Sequence, residues 1–259
     1  MVKENIYGHR KRLHWIVSHL SKEDRIVEVG CGTGIMITLP LFEMGYQVMG
    51  IDIDEKSIDF GQDVCRERGM DPGILKLTDL ASINTPLDVL IVSEVLEHLS
   101  QNDLFAVMND IRNALRPGGK LLVTVPNGYG WFELESLLWF RAGIGYLLDL
   151  FRVGSVINVF KCVLLGCGYE PPYPSTLSDS FHVHRFTYNS IRTLLETHGF
   201  QFTEMTGSVL FAGPFSNLFF TGIKSAMKLN CMIGGWVPKL ASGFYVACRL
   251  GKSKIVDDK

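Results

Sequence analysis

The sequence predicts an α/β protein, a doubly wound and mostly parallel sheet with helices on both faces, and three observations carry that expectation. Short runs of β-branched and aliphatic residues at 26–29, 46–51, 74–77, 87–92 and 121–125 alternate with segments of helical period. The run 87–92 is nearly continuous in apolar residues, as a parallel strand buried on both faces should be. The first run is followed by Gly30-Cys31-Gly32-Thr33-Gly34 and then by a helical pattern from about Ile35, which makes a strand, a glycine turn and a helix. Alternate glycines let the backbone turn sharply and leave no side chain between it and a ligand.

With 259 residues the chain can bury a large core, and one domain with insertions is expected over residues 1–259. A net charge of −2 offers no electrostatic case for a nucleic-acid partner. Met1-Val2-Lys3-Glu4 lacks the apolar run of a signal peptide, so a cytoplasmic chain is expected. The six cysteines, at 31, 65, 162, 167, 231 and 248, include no Cys-x-x-Cys pair, and free buried thiols are expected rather than zinc or a disulfide framework.

Residues 1–24 hold an N-terminal helix from about Asn5 to Leu20, whose cluster His9, Arg10, Lys11 and Arg12 reads as a solvated face, with a basic lid or membrane-facing helix as the alternative. Pro40 falls inside the helix expected after Gly34, so that helix is kinked or starts late. Asp54 should cap a helix through Arg68 that Gly69 ends. Ser100 with Asp103 should open another through about Leu115, and Arg116-Pro117-Gly118-Gly119 should stop it before the strand 121–125. Thr187 should cap a helix from Tyr188 to His198 that Gly199 ends, followed by strands at 201–209 and 243–250.

Two segments stand outside this alternation. Residues 128–185 are rich in large apolar groups, broken by Arg141, Arg152 and Lys161, so no spanning helix of about 20 apolar residues fits. In 210–242, Phe215, Leu218, Phe219, Gly222, Ile223, Ala226 and Met227 recur at helical spacing, with Asn217, Thr221, Lys224 and Lys228 opposite. Glu170-Pro171-Pro172-Tyr173 imitates a motif of amino-directed nucleic-acid methyltransferases, but that motif should follow the fourth strand, where Ser93-Glu94-Val95-Leu96 stands.

A dinucleotide fingerprint, Gly-x-Gly-x-x-Gly, would need a glycine where Ile35 stands, which disfavours an NAD-linked oxidoreductase. Glu28-Val29-Gly30-Cys31-Gly32-Thr33-Gly34, with Asp52 closing the next strand, instead resembles the first two motifs of class I S-adenosylmethionine-dependent methyltransferases. The run Leu-Arg-Pro-Gly-Gly-Lys-Leu-Leu-Val at 115–123 resembles the same family's later turn and strand, and the likeness covers residues 25–127. It implies a Rossmann-like sheet of seven strands with the last antiparallel, S-adenosyl-L-methionine as cofactor and S-adenosyl-L-homocysteine as product. It further implies that Glu28, Gly30, Cys31, Gly32, Gly34, Asp52, Ile53, Asp79, Leu80, Ser93 and Glu94 surround that cofactor. Glu28 would lie near the methionine end, Asp52 on the ribose and Asp79 with the following amide on the adenine.

Methyl transfer from a sulfonium is an in-line displacement, so positioning supplies most of the catalysis and a dedicated base is optional. His98, past the fourth strand, is the candidate catalytic residue for a hydroxyl or carboxyl acceptor, or else a histidine that packs or caps; His182 and His184 are reserves. Glu94, Glu97 and His98 share the i, i+3, i+4 spacing of metal ligands, and quinone O-methyltransferases carry a similar stretch, but no metal is assigned. The resulting expectation is methyl transfer to an oxygen of a small, apolar or lipid-linked acceptor. The two insertions would form a cap on the acceptor side and contact a membrane peripherally, or else their aromatics pack together or form a dimer contact. A fold that binds the cofactor without turnover is the competing class.

Overall fold

The computed structural model describes residues 4–84, 86–166 and 183–251. Seven strands form one sheet in the order β3-β2-β1-β4-β5-β7-β6: β1 Arg25–Val29, β2 Gln47–Asp52, β3 Leu75–Leu77, β4 Leu87–Ser93, β5 Leu115–Pro126, β6 Phe200–Gly207 and β7 Gly243–Leu250. Strands β1 to β5 pair in parallel, and β7 runs antiparallel between β5 and β6. The order reverses between β1 and β4, where Val29 sits beside Val92, and this switch point is where open α/β sheets collect ligands beyond the carboxyl ends of their strands.

Helices cover both faces. Leu13, Trp15 and Ile16 of α1 (His9–Val17) and Leu41 of α2 (Thr38–Glu43) pack with Ile26, Val89, Ile91 and Leu122 on one side. Leu104, Met108 and Ile111 of α4 (Gln101–Ala114) and Ile191 and Leu195 of α8 (Tyr188–Thr197) pack with Val27, Leu90, Val92 and Val123 on the other. Helix α3 (Glu55–Glu67) adds a smaller cluster through Ile58 and Cys65. The central strands are thus buried on both sides, which is why β4 reads as an unbroken apolar run.

The capping residues act as expected. Asp54 accepts from Ser57 N, Ser100 accepts from Asp103 N, and Thr187 with Ser190 forms a reciprocal capping box. The late-start alternative for Pro40 is the one realised: α2 begins at Thr38, so the proline lies in the first turn, where its missing N–H has no helical acceptor to lose.

Two readings are corrected. Strand β5 begins at Leu115 rather than 121, because Leu115 already pairs with Leu87 and the residues up to Lys120 bulge out before the ladder resumes at Val89. The single helix expected across 215–228 is two, α9 (Pro214–Phe220) and α10 (Lys224–Trp236), parted where Gly222 turns to φ 88°. Lys224 and Lys228 therefore do not share a helix with Phe215 and Phe219. The remaining insertion holds α5 (Trp131–Ser136), a π-helical turn Leu137–Arg141, α6 (Ile144–Leu150) and α7 (Val153–Leu165). It meets the second insertion through Trp131 on Phe211, Trp139 on Phe215 and the buried Glu135, which accepts from Ser216. Glu170-Pro171-Pro172-Tyr173 and His182 lie outside the described residues.

Candidate cofactor and acceptor site

Each loop glycine is required for a different reason. Gly30, Gly32 and Gly34 have φ of 67°, 53° and 70°, a region that costs other residues roughly 1–2 kcal/mol. A Cβ on Gly30 would stand 2.5 Å from Val95 Cγ2 and one on Gly34 2.6 Å from Leu75 Cδ2, whereas one on Gly32 would meet nothing within 4 Å. Gly30 and Gly34 thus lock the loop to its neighbours, and Gly32 presents the open face. The expectation that backbone groups of Gly30 and Gly32 face a ligand is narrowed by their amides. Those of Gly30 and Cys31 donate to Ile51 O at 2.8 and 3.0 Å, and that of Gly32 donates to Asp52 Oδ2 at 2.7 Å. Asp54 N donates to the other Asp52 oxygen at 2.9 Å, so the nearly buried carboxylate is fixed between two amides. Ile53 beside it is 82% exposed, an apolar side chain left open at the lip. Burial pushes the Cys31 thiol up, which keeps it neutral and unreactive.

Across the switch point a set of charged groups converges on Arg12, a residue the sequence reading passed over as part of a solvated face. Only Arg10 of that cluster is exposed. Lys11 Nζ donates to the carbonyls of Gly207, Ser208 and Cys231. His9 is held down to about 3 by burial and by Arg12. Arg12 lies 13% exposed with Nη1 3.4 Å from Glu94 Oε1. Glu94 itself turns to φ 55°, donates its amide to Thr124 O at 2.8 Å and accepts from Thr124 Oγ1 at 2.8 Å, while Ser93 Oγ meets the same hydroxyl at 2.8 Å. Glu28 is 4% exposed and accepts from Thr38 Oγ1; burial raises its pKa to about 8, against the opposing pull of that hydrogen bond and of Arg12.

At the outer end of this edge, Asp79 is exposed and caps a short turn, accepting on Oδ1 from Ser82 N at 2.9 Å and Ser82 Oγ at 2.7 Å, which holds its carboxyl below the usual range; the Leu80 side chain is buried in the core. His98 ends a 3₁₀ turn, Leu96–His98, with its side chain 26% exposed and Nε2 3.8 Å from Glu97 Oε1. Glu97 is fully buried, and its carboxylate oxygens have no hydrogen-bond partner among the described residues. Burial first, and the neighbouring Glu94 second, push it well above the ordinary carboxylate range. The Glu97 carbonyl accepts from Val183 N and His184 N at 2.8 and 2.9 Å, tying the end of the first insertion to this turn. Glu94, Glu97 and His98 do not converge as the i, i+3, i+4 spacing would allow. The left-handed Glu94 faces Arg12 and Thr124 while Glu97 faces inward, and no metal-ligating group of three is formed among the described residues.

The fold and this edge define a class, a doubly wound α/β protein with a glycine loop at the switch point held by the carboxylate that ends the second strand. Residues 7–205 match the methyltransferase domain family, and the chain belongs to it. Over 126 residues the chain is 30% identical to a ubiquinone biosynthesis O-methyltransferase of Caulobacter vibrioides, an alignment of 48% of this chain and 47% of the relative. Over 224 residues it is 26% identical to the putative methyltransferase YqeM of Bacillus subtilis, covering 82% and 88%. The chain thus spans about half the length of the ubiquinone O-methyltransferases it matches. Among solved structures it resembles a SAM-dependent methyltransferase from Methanosarcina mazei, with TM-score 0.56, 18% identity and coverage of 92% and 98%. It also resembles the magnesium protoporphyrin IX methyltransferase of Synechocystis PCC 6803 with bound SAH, with TM-score 0.55, 14% identity and coverage of 94% and 82%. These likenesses show a shared fold.

Proposed function

We propose that this protein transfers a methyl group from S-adenosylmethionine to an oxygen of a small, apolar or lipid-linked acceptor. The observation that carries the reading is the meeting, at one switch point, of the open face of Gly32, the anchored Asp52 carboxylate, the Arg12–Glu94 ion pair and the buried Glu28 carboxyl. The donor set fits that cofactor. A carboxylate oxygen has two acceptor sites, so Asp52 keeps one on each oxygen for the ribose hydroxyls while holding its two amides. Ile53 offers an apolar surface to the base, with Asp79 and Leu80 beyond it. Arg12 suits the amino-acid carboxylate and Glu94 the ammonium group, while the buried Glu28 carboxyl offers an acceptor oxygen behind them. When bound, the cofactor supplies a methyl group on a positively charged sulfur.

The chain's own part is to hold the acceptor oxygen and receive its proton. The imidazole of His98 is the group for that step, and the buried, proton-holding Glu97 carboxyl, 3.8 Å from Nε2, fixes the ring against the turn. Glu97 acts through His98 and is a positioning residue. The ubiquinone O-methyltransferases support oxygen as the acceptor atom, and the aromatic side chains of α5, α6 and α9 at the carboxyl edge support an apolar acceptor beneath a cap. Incubating purified protein with extract and isotopically labelled cofactor, and searching the lipid fraction by mass spectrometry, should yield a labelled-methyl product. Tight cofactor binding with no labelled product in any fraction would favour a binding protein without turnover.

A further inference from the structure

The α6–α7 hairpin presents an apolar surface that no other described element covers. On α7, Val156, Val159, Phe160 and Val163 stand at i, i+3, i+4 and i+7, one face of the helix, and each is 61–76% exposed. Tyr146, Leu147, Leu150 and Phe151 continue that surface across α6 and the connecting turn, each at least half exposed. The opposite side of α7 is the anchored one: Lys161 is buried with its Nζ donating to the carbonyls of Leu218 and Thr221, and Gly154 lies against Leu218. A lysine held inward beneath a row of valines outward is the reverse of a solvated helix. The exposed face is where hydrophobicity is greatest.

We propose that this hairpin rests on an anionic lipid surface, burying Phe151 and the valine face of α7 among the acyl chains near the headgroups. Charge favours lipid over a second copy of the chain. Apart from the inward Lys161, the described parts of the two insertions, 128–166 and 210–242, carry five basic side chains, Arg141, Arg152, Lys224, Lys228 and Lys239, against three acidic ones, while the whole chain is net −2. Two of the acids are occupied, Glu135 with Ser216 and Glu133 near Arg185. Arg141, just before α6, and Arg152, at the turn between α6 and α7, are exposed, where anionic headgroups would meet them. No described helix is long and apolar enough to cross a membrane, so the contact is interfacial. The hairpin follows β5 at its carboxyl end, on the same edge as the glycine loop, so docking would open the acceptor side of the cleft to lipid-dissolved molecules. This deepens the lipid-linked acceptor reading but stands on separate observations.

Sedimentation with phosphatidylglycerol-containing vesicles at low salt tests it, with phosphatidylcholine vesicles as the comparison. The wild-type protein should pellet with the anionic vesicles, less with the neutral ones, and be released by salt. Val159→Glu and Phe151→Glu change exposed side chains, so they should leave the melting temperature and S-adenosylhomocysteine affinity unchanged while weakening vesicle partitioning about tenfold or more. A wild-type protein that stays in the supernatant overturns the proposal. So does a dimer that Val159→Glu splits without vesicle binding, which would assign the face to a second copy. Vesicle binding without cofactor affinity would instead uphold the hairpin and remove the methyltransferase reading.

Discussion

Replacing Glu28 by glutamine should change how stability depends on pH. The folded protein holds the Glu28 carboxyl at about 8, from an ordinary value of 4.5, because it is fully enclosed between the sheet and α2. A carboxyl raised by folding makes the folded state bind the proton more tightly, so its contribution is complete below the unfolded value. It is lost as pH climbs through about 8. The slope is about 1.4 kcal/mol per pH unit, so the contribution should fall by roughly 2–3 kcal/mol between about pH 5.5 and about pH 7.5. Glutamine keeps an oxygen to accept from Thr38 Oγ1 but carries no proton to lose. Urea unfolding of both proteins across this range isolates the effect, since every other titrating group is shared. The variant should gain on the wild type as pH rises. A stability difference constant to within about 0.5 kcal/mol would refute the buried, proton-holding carboxyl.

Three further outcomes are expected. Asp52→Ala should weaken S-adenosylhomocysteine binding about ten- to a hundredfold in equilibrium dialysis, the loss of a charge-assisted hydrogen bond of roughly 1.5–3 kcal/mol, and an unchanged affinity would mean the ribose lies elsewhere. His98→Ala should lower turnover with cofactor affinity nearly intact, and Glu97→Gln, neutral like the buried carboxyl it replaces, should keep the turnover that Glu97→Ala loses. Gly30→Ala should lower stability by about 2–4 kcal/mol, from its φ and the Val95 contact, whereas Gly32→Ala should cost only about 1–2 kcal/mol but impair cofactor binding, because its open side is where the ligand lies. Equal effects of the two alanines on melting and binding would contradict that division.

The sheet was legible because the central parallel strands are buried on both faces and so write apolar runs, and because caps such as Asp54, Ser100 and Thr187 are local signals. The glycine loop was legible in outline, but its amides turning toward Ile51 and Asp52 depends on how β1 and β2 sit together, which spacing does not encode. Arg12 was missed because an arginine among basic neighbours on a helix ordinarily faces water; only the seating of α1 over the switch point turns it toward Glu94. Glu97 was read at most as a metal ligand, since a wholly buried carboxylate is rare and has no signature in sequence. The split between α9 and α10 had a signal, Gly222, but apolar periodicity across it suggested one continuous helix.

The central claim is that the β1–β4 switch point holds S-adenosylmethionine, and calorimetric titration with S-adenosylhomocysteine tests it most directly. The account predicts saturable binding at one site per chain, with no heat from NAD because Ile35 stands where a dinucleotide loop needs glycine. No saturable heat from S-adenosylhomocysteine, or binding of NAD in its place, would contradict it.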